Sequence, residues 1–188
     1  MNTLTNLHNA IFNAIEKALD GWAPGLLARL VFSSVTLVFF WNSAITKIGS
    51  GLFSPSIGAY AQIFPKKFEA AGYDTSAMST LDTLVVLAGT YAEFLLPLLI
   101  LIGLFTRLSA AAMIGFITVM SFVDITGHNA DAKTMGMVFD RFQDGVILDQ
   151  RLLWIFPLVY LVIKGAGAVS ADALLARRHR PEPTTPAL

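Results

Sequence analysis

Four long apolar runs decide what this chain can fold into. They cover about residues 25–48, 83–105, 108–126 and 152–169. A helix rises about 1.5 Å per residue, so about 20 apolar residues cross the roughly 30 Å hydrocarbon layer of a bilayer. The 188-residue chain is 55% hydrophobic and only 14% charged, whereas soluble domains carry about 25% charged residues. We therefore predict an all-α integral membrane protein, a four-helix bundle, with the last two helices extending into flanking residues.

The N-terminal segment, residues 1–22, predicts an amphipathic helix lying on the membrane surface. Its apolar residues recur at intervals of three and four, so that they share one helical face. They are Leu4, Leu7, Ile11, Ile15, Ala18 and Trp22. The segment lacks the basic start and the small-residue cleavage site of a signal peptide. A cytosolic helix packed on the bundle is the alternative interpretation.

The remaining segments connect or follow the four runs. Residues 53–71 predict an interfacial or partly re-entrant helix that Pro65 interrupts. Residues 106–107 leave room only for a tight turn, so the second and third helices form an antiparallel hairpin. The four-helix domain then covers residues 23–175. Residues 176–188 are basic and then proline-rich, which predicts a disordered tail.

The placement of Lys and Arg predicts the orientation in the membrane. The 13 basic residues divide almost evenly between the two sides. The cluster Arg177, Arg178 and Arg180 follows the last run directly, and charges beside a span weigh most. We therefore expect both termini on the cytoplasmic side of a bacterial inner membrane, with the lipid bilayer as the first partner.

Composition excludes several classes of function. A net charge of zero argues against a nucleic-acid partner. Without cysteine there is no disulfide, thiol nucleophile or thiolate-held iron–sulfur cluster. All three histidines lie outside the apolar runs, so no pair can ligate a haem inside the membrane, and no Ser/His/Asp set shares a site. We do not expect an enzyme acting alone, although an oxidoreductase subunit stays open.

Glu93 is the most informative residue, because it lies near the middle of the second run. Counted at about 1.5 Å per residue, it is about 15 Å below the outer surface. An ionised carboxylate there costs at least about 2.5–3.5 kcal/mol. Glu93 must therefore face the bundle interior and be protonated, paired or hydrated.

Depth ranks the candidate companions of Glu93. Lys164 in the fourth run lies about 18 Å from the same surface, while Asn42, Tyr91 and Tyr160 fall near the same layer. We predict an interior cluster of Glu93, Lys164, Asn42 and Tyr160, with Tyr91 beside it. The cluster is either a structural ion pair or a site for a quinone-like headgroup, small solute or proton, and its catalytic residues stay unknown.

The loop between the third and fourth runs offers only weak metal ligands. Soft methionine and imidazole groups suit copper, and the loop carries His128, Met135 and Met137. No spacing in this loop matches a metal-binding motif. The expectation is therefore no metal site, with a solvated or docking surface instead.

Three short motifs occur in order along the apolar runs. Arg29 opens the first run, which ends in Phe-Trp-Asn-Ser-Ala-Ile-Thr-Lys-Ile, containing Lys47. Glu93 precedes Leu-Ile-Gly-Leu-Phe-Thr-Arg, ending at Arg107, and the fourth run closes on Lys-Gly-Ala-Gly-Ala-Val-Ser-Ala-Asp. These motifs resemble the DoxX family of small four-helix membrane proteins, and the first is similar to a WNS-x-LTKI variant in one subset. Their motif residues here are Arg29, Lys47, Arg107, Gly165, Gly167, Ser170 and Asp172.

The resemblance covers about residues 25–175, with two departures. Ala166 stands where the family has proline, and the loop at 127–151 is longer. The resemblance implies a membrane subunit: members resemble that of thiosulfate:quinone oxidoreductase, and others are linked to thiol or oxidative-stress complexes. The WNS-bearing subset is similar to proteins encoded beside copper-responsive, peptide-modifying systems.

Three functions follow as alternatives. The first is a membrane subunit that links a redox or stress-response partner to quinone, the candidate cofactor. The second is a translocator of a small solute or ion, connected with metal stress, which would need a homo-oligomer. The third is a non-catalytic anchor or assembly factor that recruits a partner protein through the long loop and the N-terminal helix.

Overall fold

The computed structural model describes residues 2–178, and side chains from residue 3 onward. In this part of the chain the fold is all-α apart from one small hairpin. The helices are α1 Asn2–Leu19, α2 Ala23–Lys47, α3 Ile57–Ile63, α4 Pro65–Ala70, α5 Thr80–Ile102, α6 Thr106–Phe122, α7 Ala132–Met135, α8 Arg151–Lys164 and α9 Ala171–Arg178. The hairpin joins β1 Ile48–Gly51 to β2 Ser54–Pro55.

Two π-helical turns lengthen the short helices. Val123–Gly127 continues α6, and Val146–Gln150 precedes α8. With them, α2, α5, α6 and α8 are long and apolar enough to cross a membrane, as predicted. The helices form a ring in which α2 and α6 each pack on both α5 and α8. The core between them contains Phe32, Phe40, Ile100, Ala110, Met113, Ile117, Leu158 and Leu161.

The outer surface of the bundle is apolar, and several polar side chains are buried inside it beside the apolar core. Leu27, Val38 and Phe156 are 58, 65 and 76% exposed on three of the long helices. Several polar side chains are buried instead: Arg29, Ser33, Thr36, Lys47, Thr90, Glu93, Thr106, Ser109 and Arg151. This polarity is compatible with a membrane protein, because hydrocarbon tolerates Leu and Val but not unpaired polar groups.

Local signals explain where the long helices begin and end. Ser79 and Asp82 form a capping box, so α5 begins at Thr80, three residues before the predicted boundary. Gly103 takes the left-handed conformation with φ 70° and ends α5 at Ile102. Gly165, with φ 81°, ends α8 at Lys164. The fourth predicted run, which extended to residue 169, was therefore too long at this end.

Residues 57–78 pack onto the N-terminal half of α5. Pro65 separates α3 from α4, as the sequence indicated. A second apolar cluster fixes both short helices, and Lys67 forms an ion pair with Asp82 at 2.7 Å. The buried members of the cluster are Ala59, Tyr60, Phe68, Met78 and Val86.

The ends of the chain differ from each other. In α1 every described side chain is exposed, including Leu7 and Ile11 on its apolar face. The predicted disordered tail was wrong at its start, because α9 continues as a helix through Arg178. The rest of that prediction, together with His179 and Arg180, lies outside the described residues.

Candidate functional site

Glu93 is buried and paired inside the bundle, as the sequence required. Lys47 Nζ lies 2.9 Å from both carboxylate oxygens, and each residue is 4% exposed. Lys47 also donates to Ser43 Oγ at 2.6 Å, while Ser43 donates to Glu93 Oε1 at 3.3 Å. The three side chains form a closed polar triad that compensates the buried charges.

Two helices position this triad. Ser43 and Lys47 lie four residues apart on α2, so they share one face of that helix. Glu93 projects from α5 toward them, four residues before Pro97. The Trp41 indole donates to the Phe94 carbonyl oxygen at 3.0 Å and fixes the two helices at this level.

The predicted companions of Glu93 were wrong. Lys164 and Asn42 are exposed, Tyr160 is half-buried, and the hydrogen bonds of Glu93 go to Ser43 and Lys47. Tyr91 donates to the Leu52 carbonyl oxygen at 2.7 Å. The structure brings none of these four side chains into the triad.

Counting residues misplaced Lys47. Lys47 is the last residue but one of the first predicted run, 25–48, so it would lie at the outer membrane surface if the helix ended where the membrane ends. Instead, the chain turns back at Ile48 into a hairpin that packs beside α5. Lys47 is thereby enclosed and reaches Glu93. Ser43 was missed, although its spacing from Lys47 placed both on one helical face.

A cavity of about 680 Å³ lies beside the triad, between α2, α5 and α6. Its walls are mainly apolar, and Lys47, Ser43 and Glu93 form a polar patch in them. Gly115 also lines the cavity, and a Cβ there would have no atom within 4 Å. The apolar lining includes Phe39, Ile63, Val85, Leu96, Phe116, Val119 and Met120. The cavity is large enough for a drug-sized organic molecule.

A second ion pair lines the same cavity. Arg151 Nη2 lies 2.5 Å from Asp124 Oδ2, and Arg151 Nη1 donates to Ser121 Oγ at 2.9 Å. Arg151 is 6% exposed, and its Nε has no hydrogen-bond partner among the described residues. His128 also lines the cavity. The prediction from sequence missed the pair Arg151 and Asp124, although the two opposite charges lie at adjoining helix ends.

The motif residues at the other end of the bundle have structural roles. Arg29 is 2% exposed and donates to the carbonyl oxygens of Leu101 and Val169. Asp172 accepts from the Phe105 and Thr106 N–H groups at 2.7 and 2.9 Å, capping α6. These contacts join α2, the α5–α6 turn and α9.

Small residues allow the backbone segments to meet at this end. A Cβ on Gly25 would lie 2.6 Å from the Ala166 carbonyl oxygen. Gly167 has φ 79°, and Ser170 Oγ accepts from the Ala173 N–H in the first turn of α9. Arg107 lies beside Gly165, with Nε 3.4 Å from the position of a Cβ. None of these residues contributes to the triad.

Of the three weak metal candidates, His128 makes a different contact. His128 Nε2 lies 3.0 Å from the Gln62 carbonyl oxygen, and Met137 is 60% exposed. Met135 ends α7, where Asp131 accepts from the Thr134 N–H and this bond lowers the pKa of Asp131. Across residues 2–178, no three His, Cys, Asp or Glu side chains are grouped to hold a metal ion.

Comparison of the chain with protein-family models, with curated proteins and with solved structures gives no match.

Proposed function

We propose that this is a DoxX-like protein of a bacterial inner membrane, spanning it four times with both termini in the cytoplasm. The four apolar helices and the exposed apolar side chains along them support a membrane location. Arg177 and Arg178 at the end of α9 support cytoplasmic ends, since basic residues beside a span favour that side.

In this arrangement α1 lies on the cytoplasmic membrane surface. Its apolar face is exposed along the helix, with Leu4 77% and Ile11 49% exposed. No packing inside the bundle competes for that face. A lipid surface buries such a stripe while leaving the polar face in water.

The cavity beside the triad is proposed to bind a quinone headgroup, so that the protein links a partner oxidoreductase to quinone. The observation that carries this proposal is a buried Lys47–Glu93–Ser43 triad in the wall of an apolar cavity of about 680 Å³. A quinone is apolar except for its ring oxygens, which matches these surroundings.

The triad offers both a hydrogen-bond donor and an acceptor. The Ser43 hydroxyl makes the longest bond between side chains of the triad, 3.3 Å, and is the donor most easily redirected to a ligand carbonyl. Glu93 accepts, so it can hold a hydroxyl group. A quinone bound here would need two electrons, and two protons from the aqueous phase, to become a quinol. Because the chain has no cysteine, the electrons are assigned to the partner.

Filling the cavity tests this proposal. Gly115→Leu places a side chain in the cavity, where a Cβ meets open space. Ala111→Leu is the matched control, because Ala111 is exposed on the same helix and does not line the cavity. We expect an azido-benzoquinone probe to label the wild type and Ala111→Leu in nanodiscs, but not Gly115→Leu. Equal labelling of both variants contradicts quinone binding in this cavity.

A second candidate function, a non-catalytic anchor, is favoured by the loop between α6 and α8. Met137, Phe139 and Phe142 are 60, 104 and 61% exposed there. Exposed aromatic residues are typical anchors of protein interfaces. If the azido probe labels nothing while deletion of residues 137–143 abolishes binding of a partner, the anchor replaces the quinone-linked subunit.

A further inference from the structure

The cavity beside the triad is elongated along α5 and α6. On α5 its lining residues recur at intervals of three and four, so they share one face of that helix. They are Val85, Ala88, Gly89, Ala92, Glu93 and Leu96. Residues 85–96 cover about 16 Å at 1.5 Å per residue. On α6 and the π-helical turn after it, the lining extends from Ala112 to Asp124. The cavity therefore follows two neighbouring helices as a furrow.

Side-chain contacts bridge three of the four pairs of neighbouring helices beside this furrow. The triad joins α2 to α5. The rings of Phe39 on α2 and Trp154 on α8 lie 5.5 Å apart. Arg151 at the start of α8 bonds to Ser121 on α6 and to Asp124 just after it. A ligand therefore meets a side-chain bridge at each of these three helix pairs.

The short helices cover the end of the furrow that is nearest the α6–α8 loop. Gln62 and His128 both line the cavity, and His128 Nε2 lies 3.0 Å from the Gln62 carbonyl oxygen. A Cβ on Gly127 would lie 2.7 Å from Pro65 Cγ, so the junction of α3 and α4 rests directly on the chain after α6. These contacts obstruct a direct route from water along the furrow.

The fourth pair, α5 and α6, is open. Within residues 2–178, no side-chain hydrogen bond, ion pair or ring contact joins these two helices. Val85 and Val119 line the cavity and are 44 and 62% exposed. Ala88 and Ala112 also line it and are exposed. These four residues define the α5–α6 opening, through which the furrow reaches the apolar outer surface of the bundle.

We propose that the ligand of the cavity enters sideways from the bilayer through the α5–α6 opening and keeps a long hydrocarbon tail in it. A molecule dissolved in hydrocarbon reaches this opening without crossing water. Small residues let a chain pack closely between two helices, while the polar headgroup meets the triad, the polar patch of the wall. The ligand class is therefore a tailed, membrane-borne quinone rather than a water-soluble one. This inference rests on the proposed membrane location and quinone binding.

Narrowing the opening tests the role of the tail. Ala88→Phe and Ala112→Phe place a ring in it, and Ala111→Phe is the matched control, because Ala111 is exposed on α6 but does not line the cavity. Two azido-quinone probes are compared in nanodiscs, one with a decyl tail and one without a tail. We expect labelling by the tailed probe to fall at least about tenfold in the two opening variants and to stay unchanged in Ala111→Phe. Labelling by the tail-less probe should stay near that of the wild type, which also shows that the cavity is intact.

Mapping the tail provides an independent measurement. A quinone that carries a diazirine at the end of its tail marks the residues beside that end, and mass spectrometry identifies them. We expect adducts on Val85 or Ala88 and on Ala112 or Val119, and an excess of unlabelled tailed quinone should remove them. Leu95 is the control, since it is 52% exposed on α5 and does not line the cavity. Its adducts come from probe free in the bilayer and should persist.

Several results would overturn the lateral route while leaving headgroup binding intact. The tailed probe could label Ala88→Phe and Ala112→Phe as well as Ala111→Phe, or both probes could lose labelling equally in these variants. Adducts in the opening that unlabelled quinone does not displace would likewise place the tail elsewhere. If neither probe labels the wild type, quinone binding fails and the lateral route fails with it.

Discussion

Lys47 and Glu93 form an ion pair whose side chains are each 5% exposed. Removing two charges from water is expensive, and a buried pair recovers this cost only through close, fully hydrogen-bonded contact. The triad meets that condition, because Ser43 contacts both charged groups. The cost of burying each charged side chain is therefore compensated only while the other members of the triad are present.

At the residue scale we predict a strong asymmetry between single and double substitutions. Glu93→Ala leaves Lys47 buried without a counter-charge and should lower the free energy of unfolding by about 3–5 kcal/mol. The double variant Lys47→Met/Glu93→Leu removes both charges and should recover most of that loss. Unfolding titrations in mixed micelles with increasing SDS measure both quantities.

The half-exposed ion pair at the start of α5 is the control, because Asp82 keeps its hydrogen bonds to Ser79 when Lys67 is replaced. Lys67 pairs with Asp82 but its side chain is 55% exposed. Lys67→Met should therefore lower the free energy of unfolding by less than about 1 kcal/mol. If Glu93→Ala lowers the free energy of unfolding by no more than Lys67→Met does, the buried Lys47 does not depend on Glu93 for its stability.

At the element scale, the start of α6 depends on a residue far away in the chain. Phe105 before it has φ 47°, and no side chain within α6 caps the first turn. Asp172 accepts from two N–H groups there. A carboxylate at a helix N-terminus satisfies free donors and opposes the helix dipole. The cap also holds α9 against the α5–α6 turn.

Removal of this cap should loosen the whole end of the bundle. We expect Asp172→Ala to lower the free energy of unfolding by about 1–2 kcal/mol, the range for a lost N-cap. Hydrogen exchange of residues 103–109 should accelerate as well. Asp144→Ala, at an exposed loop position, is the matched control and should change neither measurement. Unchanged exchange in Asp172→Ala would show that α6 needs no external cap.

At the scale of the whole molecule, the bundle has an apolar outer surface and buries several charged residues beside its apolar core. Charged residues are buried in ion pairs and caps, whereas aliphatic and aromatic residues cover the long helices. The α5–α6 turn, α9 and the ends of α2 and α8 that contact them lie at one end. The α6–α8 loop and the α3–α4 segment lie at the other.

The proposed orientation predicts which end faces the cytoplasm. Green fluorescent protein fused after residue 188 should fluoresce in bacteria, because it folds in the cytoplasm but not after export through the Sec pathway. Alkaline phosphatase fused after residue 140 should be active, because it requires the periplasm. The reciprocal fusions serve as controls and should both be silent. The opposite pattern would place the termini outside, against the positive-inside rule.

The sequence by itself determined the class of fold. Apolar runs long enough to span a bilayer predict helices, because only helices and closed barrels satisfy all backbone hydrogen bonds in hydrocarbon. It also determined that Glu93 faces inward and is compensated, since the cost of a carboxylate in hydrocarbon does not depend on which helix pairs with which. The caps Ser79 and Gly103 were not predicted, although Ser followed by Asp three residues later and Gly after a helix are residue types that favour caps.

Only the tertiary structure decided which side chains pair with Glu93. Depth estimated from sequence assumes straight helices that end at the membrane surface. This assumption placed Lys47 at the outer surface and Lys164 in the layer of Glu93. The turn of the chain at Ile48 and the end of α8 at Gly165 reverse both placements. Which side chains meet depends on helix neighbours and tilt, and these follow from packing over the whole bundle rather than from any single segment.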